Sequence, residues 1–289
     1  MQNRGDAASG LAPRRPGAVP CGRRVGGAMA RIVSRLRRVA PLTALVLAWV
    51  LAAPAAPRAQ GGMDADSRAV LAAMSEHLGG LRSFSVEYAA VDEVVTTDGH
   101  KLQFLHSGSL TAQRPDRMHA VRRGAAGTAE LVLDGSSLVM FGRDANAYLR
   151  LPASSIATAV EAVQRLGFDA PGGDLLADRP MDATTTDIIS GTHVGMTFIE
   201  SVEVHHLAFR GAEVDWQLWV TAGDRPLPLR YVIVSTSVAG APQYTLQLRN
   251  WNLAPPADPG RFVFTPPAGA RQLDPSSVTV NAIGDLVIR

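Results

Sequence analysis

Residues 214–220 read Val-Asp-Trp-Gln-Leu-Trp-Val, the clearest alternation of apolar and polar side chains in the sequence. Successive side chains of a β-strand point to opposite faces. Trp216 and Leu218 therefore share one face with the two valines. Asp215 and Gln217 lie on the other face. We interpret this stretch as a strand with one apolar and one mostly polar face.

The preceding residues supply a partner for this strand. A two-residue turn at residues 211–212 pairs Leu207 with Trp216 on the apolar face. The same turn places Arg210 beside Glu213 on the polar face. The first turn residue is a glycine, as a type II′ turn requires, because that position takes a positive φ. A shift by one residue would turn every side chain to the wrong face, so we predict this register.

Residues 202–251 as a whole have the pattern of a meander of consecutive antiparallel strands. Residues 231–234 are apolar on both faces, as expected for a strand that is covered on both sides. Residues 243–251 alternate again, with Tyr244 and Leu246 on the apolar side. The meander therefore has an apolar face that other parts of the chain must cover.

The N-terminal part of the sequence has the features of an export signal. A basic region at residues 31–38 precedes an uncharged apolar stretch, residues 39–53. That stretch is shorter than the roughly 18 to 20 residues that span a bilayer, which favours a cleaved signal over a membrane anchor. Residues 53–55 have the A-x-A pattern of a cleavage site. We predict that residues 1–55 are removed from a periplasmic protein.

The charge of the sequence changes when this segment is set aside. The full chain has 28 Lys and Arg, 26 Asp and Glu, and a pI near 9.0. Nine arginines and one aspartate lie in residues 1–55, which leaves 19 basic and 25 acidic residues and a net charge of −6. The remainder is thus mildly acidic, and we predict no nucleic-acid partner. Cys21 is the only cysteine, so the exported chain has no disulfide and no cysteine ligand.

Two helices are predicted from apolar residues spaced three and four apart. The first spans residues 66–78, with Asp64 or Asp66 as its N-cap. The second follows a cap at Ser154 or Ser155. Their apolar stripes are expected to be packing faces.

The rest of the mature chain has a period of two, which is typical of strands. Short strands are predicted at residues 83–96, 100–113, 117–123, 128–133, 138–141, 148–151, 184–190 and 194–201. Many hairpin-length turns between short strands predict an antiparallel sheet that forms a barrel or sandwich. We assign residues 56–274 to one β domain and residues 275–289 to a C-terminal tail.

The sequence has no catalytic signature of a known kind. It lacks a G-x-S-x-G elbow, an H-E-x-x-H motif, a glycine-rich phosphate loop and a cysteine pair. We therefore predict a protein that is not an enzyme and needs no cofactor.

The histidines and charged residues of the meander are interpreted as structural. His205 and His206 are neighbours on a strand and point to opposite faces, so they cannot chelate one ion together. His206 could meet His193 or Asp215 across the sheet. Hydrogen bonds to strand neighbours explain these histidines without a metal, because no ligand spacing is present. We interpret Arg210 and Asp215 as a cross-strand ion pair worth less than about 1 kcal/mol.

Several stretches of the sequence resemble a family of predicted bacterial periplasmic proteins. They are HLAFR at 206–210, VDWQLW at 214–219, PLP at 226–228 and residues 262–267. The resemblance covers residues 66–273. Members of that family resemble the lipoprotein carriers and receptors of the LolA and LolB kind. This implies a half-open antiparallel barrel in which helices close an apolar cavity for acyl chains; sensor domains of envelope-stress responses share a similar barrel.

Together these observations predict a mainly β (α+β) fold, a half-open antiparallel β-barrel with helices packed into its concave side. Five residues are expected to surround an apolar cavity there, and each would otherwise be ordinary core: Phe104, Trp216, Leu218, Tyr231 and Leu246. The predicted function is binding of an acyl chain, lipid or lipoprotein anchor by a monomer. The alternative is an envelope sensor or protein-interaction domain of similar fold, with an envelope protein as partner.

Overall fold

The computed structural model describes residues 62–167, 170–280 and 286–288. The predicted export segment, residues 1–55, lies outside the described residues. Its removal and the domain limits at residues 56, 274 and 275 therefore stay predictions.

The helices are α1 (Ala65–Gly80), α2 (Ile156–Arg165) and the one-turn α3 (Asp182–Thr185), with 3₁₀ turns at Gly173–Leu176, Pro259–Phe262 and Pro275–Ser277. The first seven strands are β1 (Gly62–Met63), β2 (Ser83–Val95), β3 (Lys101–Gln113), β4 (Arg117–Gly124), β5 (Gly127–Asp134), β6 (Ser137–Gly142) and β7 (Ala147–Pro152). The later strands are β8 (Ile188–Ile199), β9 (Val202–Gly211), β10 (Val214–Thr221), β11 (Pro228–Ser235), β12 (Gln243–Asn252), β13 (Arg271–Gln272), β14 (Val278–Val280) and β15 (Leu286–Ile288).

Strands β1 to β13 form a single sheet. Its order is β1-β8-β9-β10-β11-β12-β2-β3-β4-β5-β6-β7-β13, and β14 pairs separately with β15. Neighbours are antiparallel except for β1 with β8 and β13 with β7. The two outermost strands of this sheet, β1 and β13, are not paired with each other, so the sheet is open. The predicted mainly β fold with an open antiparallel sheet is confirmed.

Helices α1 and α2 cover one face of the sheet, which we call the inner face. Leu71 of α1, Ile156 of α2 and Leu218 of β10 belong to the same buried apolar cluster. Trp216 is buried on this face as well, whereas Gln217 lies on the opposite, outer face. The predicted faces of β10 are therefore confirmed, and the helices shield from water the apolar surface that the alternation creates.

Residues 259–264, which follow the last long strand, pack on the outer face. Phe262 is buried against β4 and β5. The ring of Phe264 lies 5.4 Å from that of Phe141 and 5.2 Å from that of Tyr148. This segment forms a small second core and covers part of the outer side of β4 to β7.

Both helix starts follow the predicted capping chemistry. The Asp64 carboxylate accepts the backbone N–H of Ser67 at 2.7 Å. The Ser155 hydroxyl accepts the backbone N–H of Thr158 at 3.1 Å, and the Thr158 hydroxyl accepts that of Ser155 in return. These bonds satisfy N–H groups that a helix leaves unpaired at its first turn. The first helix continues through Gly80, beyond its predicted end at residue 78.

The predicted register of the hairpin between β9 and β10 is wrong by two residues. Leu207 lies opposite Leu218, not opposite Trp216, and Arg210 lies opposite Asp215, not opposite Glu213. Residues 212 and 213 connect the two strands. A shift by two residues preserves both faces, so alternation alone could not exclude it.

Ring packing and backbone geometry explain the observed register. It places Phe209 opposite Trp216, with their rings stacked 3.8 Å apart. Gly211 does not have a positive φ, so the type II′ turn is also wrong. The Arg210 guanidinium lies 3.9 Å from the Asp215 carboxylate, which confirms the cross-strand ion pair.

The predicted strands at residues 184–190 and 194–201 are also wrong in their limits. Residues Asp182–Thr185 form the helix α3, and one continuous strand, Ile188–Ile199, follows it. The strand contains a break in register between His193 and Gly195. That irregularity interrupts the alternation and explains why the sequence pattern divides one strand into two.

Candidate ligand-binding site

Three of the five predicted site residues form a continuous row on the inner face. Leu218 of β10 pairs with Tyr231 of β11, which pairs with Leu246 of β12. Trp216 occupies the next row, and its ring meets the ring of Tyr231 edge-on at 5.9 Å. All four side chains are buried, with 7% or less of their surface exposed.

The fifth predicted residue, Phe104, lies apart from this cluster. It pairs with Asp92 of β2, which pairs with Tyr244 of β12, so it stands at the far end of the row that contains Trp216. Its side chain is half-buried. The structure thus brings four of the five residues together and places Phe104 at the margin of the inner face.

The cover over these residues is made of helices and an irregular segment, residues 171–187, which we call the cover segment. Leu175 and Met181 of this segment are buried in the same core cluster as Leu218. The segment contains a 3₁₀ turn and the one-turn helix α3. Such short elements have little stability of their own and depend on their contacts with the rest of the protein.

Three hydrogen bonds hold the cover segment to its surroundings. The Arg114 guanidinium donates to the carbonyl of Leu176 at 2.5 Å. The Ser75 hydroxyl of α1 donates to the carbonyl of Pro180 at 2.7 Å. The Tyr231 hydroxyl donates to the Asp174 carboxyl at 3.1 Å. These bonds link the segment to both α1 and the sheet.

A cleft of about 390 Å³ opens between α1 and the cover segment. Its lining residues are Met63, Arg68, Leu71, Ala72, Ser75, Pro180, Met181, Asp182, Thr185 and Ile188. Leu71 and Met181 also belong to the buried core. The cleft therefore borders the apolar cluster beneath the helices, and its volume lies in the range of small-molecule sites. None of the five predicted site residues is among its lining residues.

Polar side chains also reach the inner face, and the sequence analysis missed them. Asp174 of the cover segment accepts the hydroxyl of Thr184 at 2.9 Å in addition to that of Tyr231. Asp92 of β2 lies 3.1 Å from the Nε2 atom of His106 on β3. Asp92 and the buried Ala90 are two residues apart on β2, so their side chains lie on the same face. The alternation in the sequence could therefore have predicted that Asp92 is on the inner face.

Burial shifts the pKa of several of these groups. It raises the pKa of the Asp174 carboxyl, against the hydrogen bonds from Thr184 and Tyr231. It raises the pKa of Tyr88 to about 12. The pKa of Tyr244 is also raised, first by burial and then by the nearby charges of Asp92 and other groups. The phenols are thus neutral at physiological pH.

The predicted placement of His205 and His206 on opposite faces of the sheet is confirmed. His205 pairs with Val220 on the inner face and His206 with Trp219 on the outer face. His205 shares a hydrogen bond with His193 at 3.1 Å, and His206 shares one with Gln217 at 2.9 Å. Bonds to strand neighbours are therefore confirmed. In residues 62–167, 170–280 and 286–288, no group of three metal-ligating side chains is found.

Within the same residues, no helix has the length and apolar character needed to cross a membrane.

The fold and the site together define a mainly β protein whose open antiparallel sheet is covered by helices on its inner face. The chain belongs to the DUF2092 family of predicted periplasmic proteins, whose family model matches residues 67–274. The family resemblance seen in the sequence is thereby confirmed. Among curated proteins, none matches this sequence.

Several solved structures are distantly similar to this chain. LprF from Mycobacterium bovis has 16% sequence identity and a TM-score of 0.45, and the match covers 72% of this chain and 98% of LprF. Lipoprotein LppX from Mycobacterium tuberculosis has 12% identity and a TM-score of 0.43, covering 66% and 99%. A LolA superfamily protein from Nitrosomonas europaea has 15% identity and a TM-score of 0.35, covering 66% and 94%.

Proposed function

We propose that this protein binds an apolar ligand, such as an acyl chain, a lipid or a lipoprotein anchor, on the inner face of its sheet and performs no chemistry on it. The observation that carries the proposal is the apolar row of Leu218, Tyr231 and Leu246 on an open sheet. This row is covered by short helices and the cover segment, not by a second sheet. A bound ligand would displace part of this cover and pack against the row in its place.

The free energy gained by burying a ligand chain can be compared with the free energy that holds the cover segment in place. Each methylene group transferred from water into an apolar environment contributes about 0.8 kcal/mol, so a chain of ten contributes about 8 kcal/mol. The three hydrogen bonds that hold the cover segment contribute about 1 kcal/mol each. Displacing the segment also exposes Leu175 and Met181, at about 1.5 to 3 kcal/mol each. A chain of about ten methylene groups therefore roughly balances the loss of the cover, and the cleft beside α1 offers a path to the core.

Residues 1–55 support a periplasmic location for this function. A protein that carries a lipid between membranes has to leave the cytoplasm, and this segment has the basic, apolar and A-x-A features of a cleaved signal. We expect the periplasmic protein to begin near Ala56 or Gln60 when its N-terminus is sequenced. An intact segment embedded in the membrane would contradict this expectation.

Leu218→Trp is expected to abolish ligand uptake, because the added ring fills space on the inner face. The matched control is Gln217→Trp, which adds a larger side chain to the outer face of the same strand and should leave uptake unchanged. Uptake is measured by equilibrium dialysis against a radiolabelled long-chain fatty acid or lipopeptide. The unfolding of each variant is followed in urea.

Uptake by the wild-type protein separates a binding face from an ordinary core. Leu218 is fully buried, so Leu218→Trp is expected to lower the free energy of unfolding by about 1 to 3 kcal/mol through overpacking in either case. If the inner face is only core, the wild-type protein takes up no ligand. A wild-type protein that binds neither probe would overturn the proposal.

A second candidate function is protein recognition, as in an envelope sensor or interaction domain. Strand β8 lies near the edge of the sheet, where β1 covers only Ser190 and Gly191. Beyond that contact the strand exposes Phe198, at 66% of its surface, and Met196, at 45%. Apolar side chains on an uncovered strand favour addition of a partner strand. Failure of the wild-type protein to bind any lipid probe would favour this candidate.

A further inference from the structure

Arg114 is a buried cation at the point where β3 ends. Only 9% of its side chain is exposed. Its backbone N–H donates to the carbonyl of Arg82 at 2.8 Å, and its guanidinium carbon lies 5.8 Å from the centre of the Phe84 ring. Phe84 is itself buried in the apolar cluster of the inner face. The charge of Arg114 therefore lies at one end of the inner face, beside this cluster.

Two of the three guanidinium nitrogens of Arg114 have no hydrogen-bond partner among the described residues. They are Nε and Nη2, and both are buried. These atoms form one edge of the planar guanidinium, and their N–H groups point in the same direction. Two parallel donors of this kind match two oxygens of a carboxylate or a phosphate. A buried N–H group without an acceptor costs free energy, so binding of an anion at this edge would explain its presence.

The third nitrogen, Nη1, takes its oxygen partners from the cover segment. It donates to the carbonyl of Leu176 at 2.5 Å and lies 3.6 Å from the carboxylate of Asp178. In the part of the chain that the structure describes, the guanidinium has no further oxygen partner. Both oxygens belong to the segment that a bound ligand would displace. Displacement without a replacement would leave a buried cation unpaired, which is strongly unfavourable.

The buried side of β2 connects Arg114 with the apolar row. Phe84, Val86 and Ala90 are all buried in the cluster of the inner face. Ala90 pairs with Leu246 of the row. Six residues of a strand span about 20 Å, so Phe84 and Ala90 are separated by roughly the length of a long acyl chain. A hydrocarbon chain whose headgroup is at Arg114 can therefore lie along β2 and reach the row.

We infer that Arg114 is a headgroup subsite for an anionic amphiphile, a long hydrocarbon chain that ends in a carboxylate or a phosphate group. This inference rests on the proposed function, because the chain needs the inner face. The oxygens of the headgroup accept hydrogen bonds from Nε and Nη2. Its negative charge compensates the guanidinium after Leu176 and Asp178 have moved away.

Three amphiphiles with chains of similar length test the inference: palmitate, hexadecyl phosphate and methyl palmitate. Charge-assisted hydrogen bonds are roughly twice as strong as neutral ones, and the ester has no charge. We expect both anions to bind at least about tenfold more tightly than the ester at pH 7. The ratio of the two anion affinities shows whether the subsite prefers a carboxylate or a phosphate. Affinities are measured by competition against one radiolabelled fatty acid.

Arg114→Gln locates the preference, because it removes the charge and the pair of parallel donors. We expect the preference for the anions to disappear, while the affinity for methyl palmitate is not reduced. The matched control is Arg179→Gln, which removes the same charge from an exposed position of the cover segment. This control should keep the preference.

A measurement on the wild-type protein does not depend on the folding of these variants. Palmitate labelled with carbon-13 at its carboxyl group reports the ionisation of the bound headgroup by NMR. Burial without a cation raises the pKa of a carboxyl group, whereas pairing with an arginine lowers it. We expect the bound carboxyl group to have a pKa below about 4.3, the ordinary value for a side chain of this kind. A higher pKa would overturn the pairing with Arg114.

The outcomes distinguish this inference from the proposed function. If methyl palmitate binds as tightly as the two anions, the headgroup subsite is overturned and the proposed function stands. If none of the three binds, the proposed function itself fails, and this inference fails with it. Retention of the preference in Arg114→Gln would overturn the assignment to Arg114.

Discussion

Replacing Trp216 by alanine is expected to lower the free energy of unfolding by about 3 to 5 kcal/mol, the usual loss for a large buried aromatic residue. Only 2% of Trp216 is exposed. Its ring stacks on Phe209 at 3.8 Å and meets Tyr231 edge-on at 5.9 Å. Removing it leaves a cavity between three strands, because sheet backbones cannot move together to fill the space.

Trp219→Ala is the matched control for this substitution. Trp219 lies on the same strand but on the outer face, where it is half-buried and stacks on His206 at 4.3 Å. The Arg230 guanidinium also lies over the Trp219 ring, at 5.6 Å from its centre. Loss of these two partly exposed contacts costs about 1 to 2 kcal/mol. Urea unfolding of the two variants measures the difference. Equal losses would contradict the assignment of Trp216 to the core and Trp219 to the outer surface.

The faces of the strands were predictable from the sequence, but the register was not. Alternation in residues 214–220 places Trp216 and Leu218 on the covered face, as observed. The choice between Leu207 and Phe209 as the partner of Trp216 depends on ring stacking, which is a property of the folded pair. The alternation in the sequence determines which face of the sheet a side chain is on, whereas packing in the folded protein determines which residue lies opposite it.

The cover segment shows a different limit of sequence reasoning. Residues 171–187 have no regular apolar period, and their short 3₁₀ turn and helix α3 form only with tertiary contacts. Bonds such as Ser75 to Pro180 join residues that lie 105 positions apart in the chain. Local pattern carries no information about such partners.

The candidate site was partly predictable for the same reasons. Trp216, Leu218, Tyr231 and Leu246 lie together because each occupies the apolar phase of its strand. Phe104 has the same phase but lies where β2 and β3 extend beyond β4, so it is less buried. Asp174 could not be found by periodicity, because it lies in the cover segment and reaches the inner face only through the folded loop.

A second prediction with a large expected effect concerns the face of the sheet on which the ligand binds. Bromine atoms on an acyl chain quench tryptophan fluorescence only at close range, so they report which face the chain touches. Trp216 and Trp219 provide this comparison within one strand. Both proteins are made without the predicted signal segment, residues 1–55, which contains Trp49, and in both Trp251 is changed to phenylalanine. One protein then keeps only Trp216, and the other keeps only Trp219.

Titration of these two proteins with a brominated long-chain amphiphile is the most direct test of binding on the inner face. The chain should quench Trp216 strongly and saturably, and an unbrominated chain of the same length should compete for the effect. Trp219, on the outer face, should keep its emission. Quenching of both tryptophans to the same extent, or of Trp219 alone, would contradict binding on the inner face.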